Sequence, residues 1–282
     1  MPGLRPVAVA DRDPDRARAL AATFRLEACD PGRLLGDPRV QVVAVATTPD
    51  GHAALTLAAL AAGRHVFCEK PLATTLADAG EVLAAATAPG APRLTVDYVL
   101  RRNPLYALVA RLQQALLGPP RRFSLENLAG DEHLGPDHWL WDHTVSGGIA
   151  VEHGVHFFDA GAWLLGSQPE QVQALEAARA DGRVDTVLAA ARHPGGATAS
   201  YTHSFGRPER AESQWTTLDW GQVADGRLYG WIPVELELDI RTDGAGLAAV
   251  QALTTNQQAA LAVDGYRPSG GERITLELAS RG

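Results

Sequence analysis

Lys70 is the single lysine of this 282-residue chain; the other fixed positive side chains are all arginine. An arginine stays protonated in a protein, whereas a lysine ammonium can be tuned and can exchange protons. Lys70 follows the apolar run His65–Cys68 and precedes Pro71, which biases it towards extended dihedrals. A lone tunable cation at the end of an apolar run is a candidate for chemistry. A second candidate pair is Glu152 and His156, four residues apart in a stretch that reads as one helix, which would place them on one face. An imidazole there can take a proton near neutral pH, with the carboxylate orienting it. Taken alone the pair also reads as an ordinary helix-surface couple, and Lys70 as the residue of an arginine-biased composition.

Alternating elements are expected to carry these residues. Apolar runs at 4–10, 40–46, 65–68 and 93–96 end in Asp11, Thr47-Thr48-Pro49, Glu69-Lys70-Pro71 and Asp97. Helices are expected at 14–24, capped by Asp13 with Pro14 in the first turn, at 50–62 stopping at Gly63, and at 76–86. Strands alternating with helices of this length predict a parallel, doubly wound sheet, whose ligands lie outside the carboxyl ends of the strands. Asp11, Thr48, Lys70 and Asp97 all fall at such ends. Asp11 suits the ribose hydroxyls of a dinucleotide and so NAD, while Arg12 beside it would suit a 2′-phosphate and so NADP. Asp11 also reads as a simple turn residue.

The pattern changes after Asp97, where a domain boundary is expected, giving domains 1–97 and 98–282. A helix at 104–117 and a strand at 122–128 precede a His- and Trp-rich loop at 131–146 and a helix at 147–165. Strands with period-two alternation follow at 184–192, 197–205, 214–220 and 234–240, predicting a mainly antiparallel sheet with one wet face. A helical segment beyond 244, Gly270-Gly271 and a short final element close the chain. Five of the nine histidines lie between His133 and His156. A metal held by His143, Glu152 and His156 is the rival reading, but no H-x-x-x-H or H-E-x-x-H pair occurs, and no metal is expected. Trp139, Trp141 and Asp142 read as pocket lining for a polyhydroxylated ring, with core packing as the alternative for Trp139.

Composition narrows the class. Apolar residues make up 46% and the net charge is −8, a globular and mildly acidic balance that argues against non-specific nucleic-acid binding. The longest apolar stretch, at 53–62, is too short to span a membrane. No charged n-region followed by an apolar h-region opens the chain, and Cys29 and Cys68 form neither a disulfide framework nor a metal motif. A cytoplasmic protein with free thiols is expected.

The ordered segments Val-Ala-Val-Ala-Asp11, Ala46–His52 (ATTPDGH), His65–Pro71 ending in Glu-Lys-Pro, Arg101-Arg102-Asn103-Pro104 and Gly147–Gly166 (GGIAVEHGVHFFDAGAWLLG) resemble the glucose–fructose oxidoreductase/inositol dehydrogenase (Gfo/Idh/MocA) family. Tyr201–Phe205 (YTHSF) and Gly230–Pro233 (GWIP) are similar to one branch of it. The resemblance covers residues 5 to 240. It implies an NAD(P)-dependent oxidoreductase acting at a carbinol carbon of a sugar, polyol or related cyclic compound, with a Rossmann domain followed by an α/β domain bearing a large open sheet, and homodimers or homotetramers. By this resemblance Lys70, His156 and Glu152 are catalytic. Asp11, Arg12, Thr47, Thr48, Pro49, His52, Glu69 and Lys70 bind the cofactor. Lys70, Asp97, Arg101, Trp141, Asp142 and His156 bind the substrate. Asp159 is expected to brace the domains rather than react, and His52 to open a helix. The family's Gly-x-Gly-x-x-Gly turn, whose glycines admit the pyrophosphate, does not precede Asp11. The expectation is a Rossmann-like sheet lacking its first βα unit, with Met1 read as an internal codon. The alternative function is a non-catalytic ligand-binding or assembly module without bound dinucleotide.

Overall fold

The computed structural model describes residues 3–131, 134–208, 211–242, 244–254, 260–264 and 272–279. His133 and Gly270-Gly271 lie outside them. The chain divides into two compact units, one of Met1–Asp97 with Thr144–Gly147, the other of Tyr98–His143 with Gly148–Gly282.

The first unit alternates strands and helices. β1 (Ala8–Val9) leads to α1 (Pro14–Phe24), β2 (Glu27–Ala28) and α2 (Pro31–Gly36). β3 (Val42–Val45), α3 (His52–Ala61), β4 (His65–Cys68), α4 (Leu76–Thr87) and β5 (Leu94–Val96) follow. The Asp13 carboxylate caps α1 by accepting from the Asp15 and Arg16 amides, so the helix starts where the Asp-Pro signal placed it. Thr75 caps α4 in the same way through the Asp78 amide. All pairings here are parallel, but the strands form two sheets, β1-β2 and β3-β4-β5, rather than one. Val45, Val66, Cys68, Ala59 and Leu60 make one buried cluster on the helix-covered side. Val42 and Phe67, of opposite parity along their strands, are 44% and 37% exposed.

The second unit is a nine-stranded sheet with helices on one face, its order β13-β14-β12-β11-β10-β6-β9-β8-β7. Its strands are β6 (Arg122–Leu128), β7 (Gln171–Ala178), β8 (Val184–Arg192), β9 (Thr198–Ser204), β10 (Ser213–Asp219), β11 (Ala224–Tyr229), β12 (Glu235–Thr242), β13 (Ala260–Asp264) and β14 (Glu272–Ala279). Every pairing is antiparallel except β6 with β9. α5 (Pro104–Leu112) and α8 (Val155–Leu165) bury Tyr106, Leu108, Leu112, Phe157 and Leu164 against Phe123, Leu125, Leu218, Leu228 and Leu236 of the sheet.

Three expectations change. The helix expected at 104–117 ends as α-helix at Leu112 and finishes in a π turn, Gln113–Leu117. The loop at 131–146 contains a 3-10 turn, Trp139–Trp141, and α6 (His143–Ser146). The helix expected at 147–165 is broken into α7 (Ile149–Glu152) and α8, and the break brings Gly154 against the Ala150 carbonyl, where a Cβ would stand 2.6 Å away, so the residue there has to be glycine. α9 (Gly244–Thr254) is the helix expected beyond 244.

Candidate functional site

The site residues fall in both units, and each set is positioned by its own unit. In the first, the strand ends gather them in two neighbouring turns. β4 ends in Glu69-Lys70-Pro71; Glu69 N–H donates to Val45 O at 2.9 Å, so this turn hangs on the end of β3. The carboxylate of Glu69 accepts from the Lys70 amide at 3.3 Å, and the Lys70–Pro71 bond is cis. Lys70 is half-buried and Pro71 buried. Asp97, at the end of β5, donates its amide to Cys68 O at 2.9 Å.

At the end of β3, Thr47 is exposed, Thr48 half-buried and Pro49 buried in a 3-10 turn, Pro49–Gly51. His52 opens α3 and is 1% exposed. Its Nδ1 lies 2.7 Å from Pro71 O and its Nε2 3.0 Å from Thr47 O, so the ring nitrogens are occupied by backbone carbonyls. Farther along the unit, Asp11 accepts from the Asp13 amide at 2.8 Å and lies 3.5 Å from the Arg16 guanidinium; it remains half-buried, and Arg12 is exposed.

In the second unit, His156 is 4% exposed and Glu152 7% exposed, on α8 and α7 respectively. The break at His153-Gly154 means that they do not share one uninterrupted helix face. His156 belongs to an aromatic cluster. Its ring lies edge-on to His153 at 5.9 Å between centroids and 5.6 Å from Trp231. His153 stacks on His203 of β9 at 4.8 Å and 19°. The Asn127 amide of β6 donates to His203 Nδ1 at 2.9 Å, which fixes that nitrogen as an acceptor. Neither His153 nor His203 nor Asn127 stood out in the sequence; His203 lay in the Tyr-Thr-His-Ser-Phe segment, the one signal that pointed to it.

Arg101 and Asp159 form a two-bonded ion pair, 2.7 and 2.8 Å, which ties the 3-10 turn Val99–Arg102 to α8. Asp159 holds the Arg101 guanidinium above its ordinary pKa by accepting these bonds. The Arg179 and Arg183 guanidiniums lie over the Trp141 ring, 5.0 and 5.1 Å from its centroid. Arg179 also donates to Asp185, Asp131 and Phe205 O, so the Trp139–Trp141 turn is clamped to the β7–β8 hairpin. Asp142 beside it is exposed. Among the described residues no group of three His, Cys, Asp or Glu is arranged to hold a metal ion, and no helix is long and apolar enough to cross a membrane.

Parallel strands bearing polar residues at their carboxyl ends, followed by an α/β unit with a large sheet, define a class of two-unit α/β proteins that bind ligands at those strand ends. Residues 1–98 match the family described as "Oxidoreductase family, NAD-binding Rossmann fold", and residues 107–218 match the "GFO/IDH/MocA C-terminal domain". The chain belongs to the Gfo/Idh/MocA oxidoreductase family. It is 35% identical over 176 residues to inositol 2-dehydrogenase of Acidothermus cellulolyticus, covering 61% of this chain and 49% of that protein. Among solved structures it is similar to an oxidoreductase domain protein from Kribbella flavida (TM-score 0.73, 26% identity, 83% of this chain and 67% of that one). It shares its fold with levoglucosan dehydrogenase solved with NADH and L-sorbose (TM-score 0.75, 22% identity, 83% of this chain and 66% of that one). The chain spans about half the length of the curated relatives it matches.

Proposed function

We propose that this chain works in an NAD(P)-dependent oxidoreductase that moves a hydride to or from a carbinol carbon of a sugar, polyol or related cyclic compound. The observation that carries this reading is the placement of His156, buried among aromatic rings on the helix that bears the family's Gly-x-His-x-x-Asp pattern. A proton acceptor held in a water-poor ring cluster keeps one orientation, and orientation is what a base needs most.

The strand-end residues fit the two ends of a dinucleotide. Asp11, half-buried after β1, would take ribose hydroxyls, and Thr48 with Lys70 would border the nicotinamide end. No Gly-x-Gly-x-x-Gly turn precedes Asp11, so a diphosphate cradle of that kind is not among these residues. When bound, the nicotinamide supplies the hydride acceptor or donor. In the oxidation direction His156 takes the hydroxyl proton, Lys70 stabilises the oxygen as it gains negative charge, and Glu152 supports the imidazolium. Trp141 and Asp142 serve the substrate side through the clamped turn, and Arg101 through its pairing with Asp159.

The test is Lys70→Met, assayed with NAD(H) and NADP(H) against myo-inositol and other polyols, the substrate class in the relatives' names. Turnover should vanish while the far-UV circular dichroism is kept. Undiminished turnover would overturn the assignment. Calorimetry that finds no dinucleotide binding by this chain would favour a ligand-binding module without cofactor.

A further inference from the structure

We infer that His52 is a positioning residue that ties the turn after β3 to the turn after β4, so that the Thr47-Thr48-Pro49 and Glu69-Lys70-Pro71 segments move as one piece. This rests on the reading of those two turns as the nicotinamide end of the site. The imidazole is buried, with one nitrogen 2.7 Å from Pro71 O and the other 3.0 Å from Thr47 O. The first carbonyl belongs to the residue after Lys70 and the second to the residue before Thr48. Each proposed contact residue therefore sits one peptide from the clamp. His52 itself has no ring nitrogen left for a ligand, so its part in cofactor binding is indirect.

The surroundings make the clamp stiff. His52 is the first residue of α3, and Thr56, one turn on, is fully buried; the Cys68 thiol at the end of β4 donates to Glu69 O at 3.2 Å, within the Lys70 turn. Gly51, just before His52, packs so closely on Thr47 that a Cβ would lie 2.9 Å from its Oγ1. Carbonyl oxygens only accept, so a neutral ring donates to one of the two turns and an imidazolium to both.

The test is hydrogen exchange on the whole chain without cofactor, comparing wild type, His52→Leu and His52→Gln. In His52→Leu the Gly51 amide and segment 69–73 should exchange at least about tenfold faster, with β6 and β9 unchanged, because local opening is decided by local bonds. The Gln amide restores one donor and should bring both turns back to within about threefold of wild type. Exchange that is unchanged in His52→Leu, or accelerated equally throughout residues 3–97, would overturn the inference. If His52→Leu does not fold, His52→Ala, which leaves both carbonyls without their partner, takes its place: faster exchange confined to the two turns supports the clamp, and none refutes it. A second arm measures NADH binding and turnover. The Kd should weaken about tenfold in His52→Leu and kcat at saturating NADH should fall as well, because the loosened turn carries Lys70. A wild type that binds no NADH would sink the proposed function, and the exchange data would still judge the clamp.

Discussion

Asn103 holds two segments of the second unit with one side chain, and its replacement separates two costs. Its Oδ1 caps α5 by accepting from the Leu105 and Tyr106 amides at 2.9 and 3.2 Å, and its Nδ2 donates to Pro233 O at 2.8 Å. The residue is 7% exposed, and Pro233 is buried. Removing an N-cap oxygen costs about 1 kcal/mol, and leaving a buried carbonyl without its donor costs about 1–3 kcal/mol. Asn103→Ala should therefore destabilise by about 2–4 kcal/mol, and Asn103→Asp, which keeps the cap and loses the donor, by about 1–3 kcal/mol. All six tryptophans lie in the second unit, between Trp139 and Trp231, so tryptophan fluorescence in urea reads that unit alone. Trp231 is two residues from Pro233 and packs on His153 and His156, so the native emission should also shift in both variants. An Asn103→Ala stability within about 0.5 kcal/mol of wild type would refute the reasoning, because changes of that size are typical of surface sites. Equal losses in Ala and Asp variants would show that the cap contributes nothing.

Gly161→Ala should lower Tm. A Cβ there would stand 2.1 Å from the buried Tyr201 hydroxyl, and about 1–3 kcal/mol of overpacking outweighs the roughly 1 kcal/mol of helix propensity gained. Adding Tyr201→Phe to that variant should recover part of the loss, whereas a Tm that rises in the single variant would contradict this packing. Burial pushes the Cys68 thiol above its ordinary pKa and leaves it 0% exposed, so at pH 8 it stays protonated and shielded. Iodoacetamide on the native chain should modify Cys29, which is partly exposed, well before Cys68; peptide mapping showing equal labelling would refute it.

Where hydrophobic periodicity was strong, the sequence told nearly everything. β6 and β8 occupy the residues expected, since alternation there follows a sheet with one covered face. β7 escaped notice because Gln171–Ala178 is exposed throughout and its pattern reflects no core. β11 was hidden by Asp225 and Gly226, and β2 and α2 by their shortness. Lys70, Thr48 and Asp97 were placed at strand ends by counting apolar runs. The clamp of His52 on two carbonyls was illegible, because backbone partners leave no trace in residue type. The break before α8 was equally hidden, since Gly154 within a helical pattern reads as tolerated until the Ala150 carbonyl is seen against it.

The parallel pairing of β6 with β9 also dictates when the sheet can form. Asn127 and its partner His203 are 76 positions apart, and β10, the other neighbour of β6, comes later still. β6, an interior strand of the sheet, is therefore made long before either of its neighbours. A chain emerging from the ribosome holds Phe123 and Leu125 uncovered on that side until α8, β9 and β10 have been synthesised. Contacts this distant in sequence put the second unit among slow-folding topologies, while β3, β4 and α3, all within residues 42–68, close locally. The imidazole cluster around His156 is assembled across that same late seam, so His156 acquires its surroundings only when the slow step is complete.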